Sequence, residues 1–448
     1  MLQKLFGFDP KTMKVRTEIV AGITTFLTMA YILAVNPAIF NDLGVEEMSM
    51  QNGAVFTATA LAAVVGTLVM AFLGKKPIGL APGMGLNAFF VYTICLGMGY
   101  SWQFALTAVF IEGIIFVILT VTKVRKWIVD AIPLSLKYAI GGGVGLFIAF
   151  IGFQNAGIVV NSDATLVTLG TITEGSALLA LIGLVISIVL VVLNVPGGLL
   201  IGIFATTFIG CIPMFKGVDG TYQAITHLNG VAGSVPSIGN IAFHFTWDEL
   251  ATGKGLLDMI VVVCTFLFMD MFDTMGSLIG VSEKAGWVDE KGNVDRINEC
   301  FMADAIGTVA GACLGTNTTT TYVESASGVG AGGRSGLTAL VIAACFVLAL
   351  PFAPLFLSIP SAATAPALII VGMMMMSPVA KIAWSDYSEA LPAFVTIIMM
   401  PLAYSIADGI LLGLLSYVLV NAICGKAQKI TPTMWVLAVA IALKYLFL

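Results

Sequence analysis

Gly315-Thr316-Asn317-Thr318-Thr319-Thr320-Thr321-Tyr322-Val323-Glu324 is the stretch on which the reading of this chain turns. It is a polar break between apolar runs long enough to cross a bilayer. Extended backbone is tolerated at that depth only where its N–H and C=O groups are buried in protein or line a cavity. The break therefore predicts a short strand followed by a half-helix. A second interruption matches it: Lys76-Pro77-Ile78-Gly79-Leu80-Ala81-Pro82-Gly83-Met84-Gly85-Leu86-Asn87 puts prolines and glycines into one apolar segment. Pro82 suits the first turn of a helix that starts midway. Paired interruptions in corresponding halves of a chain point to a transporter site.

The composition agrees. Of 448 residues 59% are apolar and 10% charged, against about 25% charged in a soluble domain, so the chain is an integral membrane protein of the all-α polytopic class. Spans fall at 18-40, 53-73, 77-97, 102-122, 132-153, 176-193, 197-213, 257-279, 298-313, 314-333, 335-356, 361-380, 389-405 and 408-424, fourteen in all. With this count Lys4, Lys11, Lys14, Arg16, Lys75, Lys76, Lys123, Arg125, Lys126, Lys284, Lys291, Arg296, Arg334, Lys381, Lys426 and Lys429 share one side. Lys216 and Lys254, in the long loop 214-256, stand on the other. By the positive-inside rule both termini are cytoplasmic. The first apolar run begins too late for a cleavable signal and continues as a full span. The last run, 434-448, contains Lys444 and reads as an interfacial or packed helix. The cysteines form no Cys-x-x-Cys pair, so neither a disulfide framework nor a metal site is expected. No Walker, His-Glu-x-x-His or intramembrane Ser/His pattern is present, which removes the usual signatures of pumps and hydrolases. No enzyme activity, cofactor or nucleic-acid partner is expected.

The two halves correspond. Thr25-Phe26-Leu27-Thr28-Met29 matches Thr265-Phe266-Leu267-Phe268-Met269 at an offset of 240, the broken spans align at about 237, and Ile132-Pro133 matches Ile359-Pro360 at 227. Seven spans per half is odd, so the second half is expected upside down relative to the first, as in inverted repeats.

Acids inside apolar runs cost about 2.5–3.5 kcal/mol each on insertion scales and mark functional sites. Asp270 and Asp273 are three apart on a helix and share a face. Carboxylates this close do not titrate independently, and such a pair can carry a proton. As structural groups they would instead pair with backbone amides or hydroxyls. Thr321-x-x-Glu324 fits a capping box, and a half-helix start is also where a polar ligand binds; the two roles are compatible. Asn87 stands opposite Glu324 in the repeat and offers both donor and acceptor. Asp304 reads as a structural hydrogen-bond hub, Glu112 as either structural or functional, and Asp258 and Asp408 as caps or interfacial groups. His227 and His244 lie in the loop 214-256, so a proton relay would run on carboxylates. Phe26, Phe266, Phe89 and Phe272 could stack a flat ligand or simply pack. The Gly141-Gly142-Gly143 and Gly328-x-Gly330-x-Gly332-Gly333 clusters read as close helix packing or half-helix ends.

Phe6-Gly7-Phe8, Thr24-Thr25-Phe26-Leu27-Thr28-Met29-Ala30-Tyr31-Ile32, Ala81-Pro82-Gly83-Met84-Gly85-Leu86-Asn87-Ala88-Phe89-Phe90, Phe272-Asp273-Thr274 and Glu324-Ser325-x-x-Gly328-x-x-x-Gly332-Gly333-Arg334-Ser335-Gly336-Leu337-Thr338 resemble the adenine/guanine/hypoxanthine permeases. These form the azaguanine-type branch of the nucleobase/ascorbate transporter superfamily. The resemblance covers essentially the whole chain. It implies a seven-plus-seven inverted repeat divided into a core domain, 1-123 and 257-357, and a gate domain, 124-256 and 358-448, with homodimers through the gate domain. It implies proton symport of purine bases across the cytoplasmic membrane, with H+ favoured over Na+. It places Asn87, Asp270 and Glu324 at substrate-binding positions and Asp273 at the acid linked to translocation; Thr25, Phe26 and Phe266 complete the candidate site. Ser325 stands where the xanthine, uracil and ascorbate branches carry Asn, which favours the azaguanine branch. The rival readings are an anion exchanger or channel of the same architecture, disfavoured by acids around the breaks, and a membrane enzyme or receptor, disfavoured by the missing catalytic constellation.

Overall fold

The computed structural model describes residues 2–122, 133–216, 221–251, 253–287 and 295–447. Lys123, Arg125, Lys126, Ile132, Lys291 and the expected boundary at 123/124 lie outside them. The first helices are α1 (Leu2–Phe6), α2 (Val15–Met29), α3 (Ile32–Asn41) and α4 (Ala54–Val69). Strand β1 (Leu80–Pro82) leads into α5 (Met84–Ala88), which runs on to Gly97 as a wider π-type helix, and α6 (Trp102–Thr122) follows. Next come α7 (Leu134–Asn155), a hairpin of β2 (Val159–Ser162) and β3 (Leu166–Leu169), α8 (Gly175–Val192) and α9 (Gly198–Gly210). After the short pair β4 (Phe215–Lys216) and β5 (Tyr222–Gln223) the chain forms α10 (Gly253–Ala285) and α11 (Ile297–Leu314). Strand β6 (Thr319–Thr321) opens the second half-helix, α12 (Ser325–Gly330). The remainder is α13 (Gly336–Ala349), α14 (Ala353–Leu357), α15 (Ser361–Met375), α16 (Tyr387–Leu402), α17 (Ile406–Ile423) and α18 (Pro432–Phe447).

Among the described residues 10 helices are long and apolar enough to cross a membrane, and Met84–Gly97, Gly198–Gly210 and Tyr387–Leu402 are shorter apolar helices. With the β6–α12 segment, each expected span has a counterpart. The first is not one plain helix. It breaks at Ala30–Tyr31, where Leu33 N–H bonds to Ala30 O at 3.1 Å and Ala34 N–H to Tyr31 O at 3.0 Å, tight 3₁₀-type turns. Pro37 lies inside α3; it lacks the N–H that would reach Leu33 and its ring crowds that carbonyl, weakening the helix just before it. The final helix packs on α17, with Met434, Ala438 and Ile441 buried against Leu414, Tyr417 and Val418. The hairpin β2–β3 had no counterpart among the expected elements.

The helices fall into two groups by their packing. In one, α4 contacts α11 and α13, α6 contacts α10 and α11, and α2 contacts α12 and α13. In the other, α7 contacts α15, α16 and α17, while α8 contacts α9 and α15. In the glycine cluster of α7 two of the three residues pack closely: a Cβ on Gly142 would lie 2.2 Å from Val379 Cγ2 and one on Gly143 2.6 Å from Met400 Sδ of α16, while Gly141 meets nothing within 4 Å; farther along, a Cβ on Gly145 would lie 2.5 Å from Gly372 O of α15. The loop 221–251 lies over the bundle, bonded to it through Thr57 Oγ1 to Pro236 O (2.9 Å) and Phe243 N–H to Cys313 O (2.9 Å).

Strands β1 and β6 pair antiparallel, Leu80 opposite Thr321, Ala81 opposite Thr320 and Pro82 opposite Thr319. A two-stranded ribbon leaves its outer backbone groups without partners, which is costly in a membrane interior. Threonine hydroxyls from neighbouring helices supply them. Thr67 of α4 accepts from Leu80 N–H at 2.9 Å and donates to Leu80 O at 3.0 Å, and Thr308 of α11 donates to Thr319 O at 3.0 Å. Across the crossing, Asn317 donates to Gly83 O (3.1 Å), Tyr322 hydroxyl to Pro82 O (2.6 Å) and Gly79 N–H to Ser325 Oγ (3.0 Å). The sequence between the breaks thus builds a rigid ribbon from which both half-helices start.

Candidate functional site

A cavity of about 60 Å3 opens where the two half-helices begin, several times the room one water needs. Its core-side wall carries Asp273 and Ser277 of α10, Thr320 and Thr321 of β6, Glu324, Tyr31 and the Gly83–Gly85 backbone; Val371 and Met375 of α15 face them. The site therefore lies between the two helix groups. One wall is polar and acidic, the other apolar.

Glu324 is the N-cap residue of α12. The capping box expected from Thr321-x-x-Glu324 is not formed in that frame, because Thr321 belongs to β6 and its hydroxyl bonds to Ser277 Oγ at 2.6 Å. The Glu324 carboxylate instead accepts the Tyr31 hydroxyl at 2.6 Å. Helix α12 is held against α2 by Thr28 Oγ1 and Ser327 Oγ, 3.0 Å apart, and by Gly328, where a Cβ would stand 2.0 Å from Thr25 Oγ1. Below it the end of the Gly-Gly-Arg-Ser motif is fixed by Glu18, a buried acid that accepts from Arg334 N–H (3.1 Å), Ser335 N–H (3.2 Å) and Thr338 Oγ1 (2.6 Å). Glu18 entered the sequence reading only as the edge of the first apolar run. Its depth has no local signal, because its donors lie more than three hundred residues away.

The two acids of α10 differ in position. Asp273 is on the cavity wall beside Thr320 and Thr321. Asp270 is fully buried behind it, with Oδ1 3.4 Å from Thr274 Oγ1. The single Thr274 hydroxyl proton has Asp304 Oδ2 as its nearer carboxylate acceptor, at 2.9 Å, and Thr320 Oγ1 lies 2.7 Å away. A hydroxyl both donates and accepts, so Thr320, Thr274, Asp304 and Asp270 form a polar cluster behind the cavity wall that carries Asp273. Asp304, expected as a structural hub, is fully buried on α11 beside Thr274.

The other candidates lie off the cavity. Asn87 is fully buried, with its amide donating to Asn36 Oδ1 at 2.9 Å; Asn36 in turn donates to Thr59 and Thr316 at 2.8 and 3.0 Å. Thr25 is buried in the α2–α12 contact. Phe26 packs edge-on against Phe346 and Phe266 edge-on against Phe89. Phe272 stacks on Phe268, 6.4 Å between centroids. The aromatic side chains that line the cavity are Tyr322, at the start of the second half-helix, and Tyr31, at the break of the first span.

Crossed half-helices, a two-stranded ribbon at their starts and a polar pocket facing a second helix group define a multi-pass membrane transporter. The fold is shared with the transmembrane domain of a cyanobacterial bicarbonate transporter, BicA, with a TM-score of 0.65, 17% identity and coverage of 88% of this chain and 96% of that one. The chain belongs to the Permease family (Xan_ur_permease), whose family model matches residues 16–440. Among its relatives, the guanine/hypoxanthine permease PbuG of Bacillus subtilis is 45% identical over 451 residues, covering 100% of both chains. The adenine permease AdeP of Escherichia coli is 38% identical over 448 residues, covering 100% of this chain and 96% of its own. The protein is thus a permease and not an enzyme.

Proposed function

We propose that this permease imports purine nucleobases, hypoxanthine, guanine or adenine, by proton symport across the cytoplasmic membrane, with both termini inside. The observation that carries the reading is the pair Asp273 and Glu324 on one cavity wall. A purine edge offers ring N–H donors, and two carboxylates are the acceptors that suit them. The relatives named for guanine/hypoxanthine and adenine transport support the same class. BicA shares the fold, but carboxylates at the site repel an anion, so a nucleobase fits these side chains better.

The arrangement suggests how a proton takes part. Asp273 meets the base, and behind it the hydroxyls of Thr320 and Thr274 stand beside Asp304 and Asp270. A proton taken up by this set, together with a bound base, lowers the net charge that the core must carry past the apolar face of α15; uncompensated charge in that setting is costly. The inverted repeat, with core 1-123 and 257-357 and gate 124-256 and 358-448, is supported by the antiparallel β1–β6 crossing and by the two helix groups. A polar latch joins the groups away from the cavity: Tyr92 hydroxyl donates to Asp42 at 2.6 Å, and Asn155 of α7 reaches both at 3.4 Å. Alternating access requires it to part. Dimer formation through the gate rests on the family resemblance alone.

The test is uptake of labelled hypoxanthine in cells without purine permeases of their own, with adenine, guanine, xanthine, uracil and sulfate as competitors, with and without a protonophore. Purines compete and the protonophore collapses accumulation on this reading. Competition by sulfate with no effect of purines would overturn it.

A further inference from the structure

We propose that Tyr31 is a positioning residue of the permease site: its phenol fixes the Glu324 carboxylate in the orientation that receives the base. The inference rests on the reading of Glu324 as a base-binding group.

The Tyr31 hydroxyl donates to Glu324 Oε1 at 2.6 Å, the distance of a charge-assisted O–H···O bond. The phenol itself cannot swing away. Its side chain is 1% exposed, and its ring lies against that of Tyr322 at 6.5 Å and 46°, while Tyr322 is held by its own hydroxyl to Pro82 O at 2.6 Å. The turn at Ala30–Tyr31 points the ring at α12, and the Thr28–Ser327 bond and the Gly328 contact keep α2 and α12 in fixed register. A glutamate side chain otherwise samples many rotamers and loses that freedom when a ligand binds. With Oε1 held by the phenol, most of that ordering is complete before the base arrives, and Oε2 remains as the acceptor. Pre-organisation of this kind raises affinity without adding a contact to the ligand. Tyr31 therefore acts on binding through Glu324, and its effect appears chiefly in KM and Kd.

The experiment measures hypoxanthine Kd on purified full-length protein, and KM and maximal rate in cells, for wild type, Tyr31→Phe, Glu324→Gln and the double variant. Tyr31→Phe keeps the ring and its packing. The expected result is a Kd and KM about tenfold higher in Tyr31→Phe, the size expected for losing one hydrogen bond to a charged group, with a much smaller change in maximal rate. In the Glu324→Gln background, where the phenol meets a neutral amide oxygen instead of a charged group, the second substitution has a distinctly smaller effect than in wild type. An unchanged Kd in Tyr31→Phe, or the same weakening in both backgrounds, overturns the inference. If Glu324→Gln binds too weakly to titrate, Tyr31→Phe against wild type decides alone. An unchanged Kd in Glu324→Gln would instead overturn the assignment of Glu324 to the base, which is the separate reading on which this one stands.

Discussion

The two half-helices start from the same ribbon and end in opposite chemistry. On the β6–α12 side the first residue is an acid that opens onto the cavity and is held there by a phenol. On the β1–α5 side the N-cap is Gly83, and Asn87, the residue that the sequence offset sets opposite Glu324, turns inward to Asn36 and a cluster of threonines, leaving backbone at Gly83–Gly85 to face the cavity. The lengths differ too, since α12 stops at Gly330 while α5 continues as a wide helix to Gly97. The acidic side chains at the cavity, Asp273 and Glu324, thus both come from the second half of the chain. In a low-dielectric crossing buried polar groups must be paired: Asn87 and Asn36 satisfy each other on one side, and the phenol of Tyr31 meets the Glu324 carboxylate on the other.

Substitutions that remove the charged half come first in size. Glu324→Gln or Asp273→Asn, measured as hypoxanthine uptake at equal membrane expression, is expected to cut KM-limited transport by ~100-fold, as for loss of a buried charge-assisted contact. Retention of wild-type uptake by both would place the site elsewhere. Next is Gly328→Ala, whose new Cβ would meet Thr25 Oγ1 at 2.0 Å. Forcing α12 off α2 is expected to cost about 1–3 kcal/mol, the range for overpacking, seen as a lower thermal midpoint together with weaker uptake. Asn87→Ala sharpens the contrast from the neutral side. It leaves Asn36 Oδ1 buried without its donor, at about 1–3 kcal/mol of stability, while hypoxanthine KM changes far less than in Glu324→Gln. A KM change as large as that of Glu324→Gln would show that the two halves share the ligand equally.

The smallest effect lies outside the membrane. Asp386 caps α16 through Ser388 and pairs with Lys426 at 3.0 Å and Lys429 at 3.4 Å. The Ser388 hydroxyl foremost, and Lys426 after it, hold its carboxyl well below the usual carboxylate range. A carboxylate whose folded pKa is depressed adds stability above its unfolded pKa, and that gain is lost as pH falls toward the folded value. Asp386→Asn is therefore expected to lower the thermal midpoint slightly at neutral pH, with the gap from wild type beginning to close below about pH 4. Solvent and salt screen this exposed pair, so the gap also shrinks in high salt.

The parts of this structure that were legible in the sequence are those with a strong compositional contrast. Threonines and glycines inside apolar runs marked both breaks, and acids inside apolar runs marked α10 and α12. What stayed hidden depends on packing between distant segments. Residues three apart share a helix face, so the pattern could not say that Asp273 meets the cavity while Asp270 turns toward Thr274 and Asp304; β6 and α11 decide it. Tyr31 looked like one more aromatic in an apolar span. Pro37 was the available signal that the span bends there. Phe26 and Phe266 fit the composition of a stacking site and Thr25 that of a polar contact, yet Phe346, Phe89 and Gly328 lie against them.

The most direct test compares the two acids of α10. Hypoxanthine binding is titrated on purified Asp273→Asn and Asp270→Asn, with the thermal midpoint recorded to confirm that each is folded. Placement of Asp273 on the cavity wall and of Asp270 behind it predicts that Asp273→Asn loses binding while Asp270→Asn still binds within several-fold of wild type. Loss of binding in folded Asp270→Asn, with Asp273→Asn binding as wild type does, would contradict it.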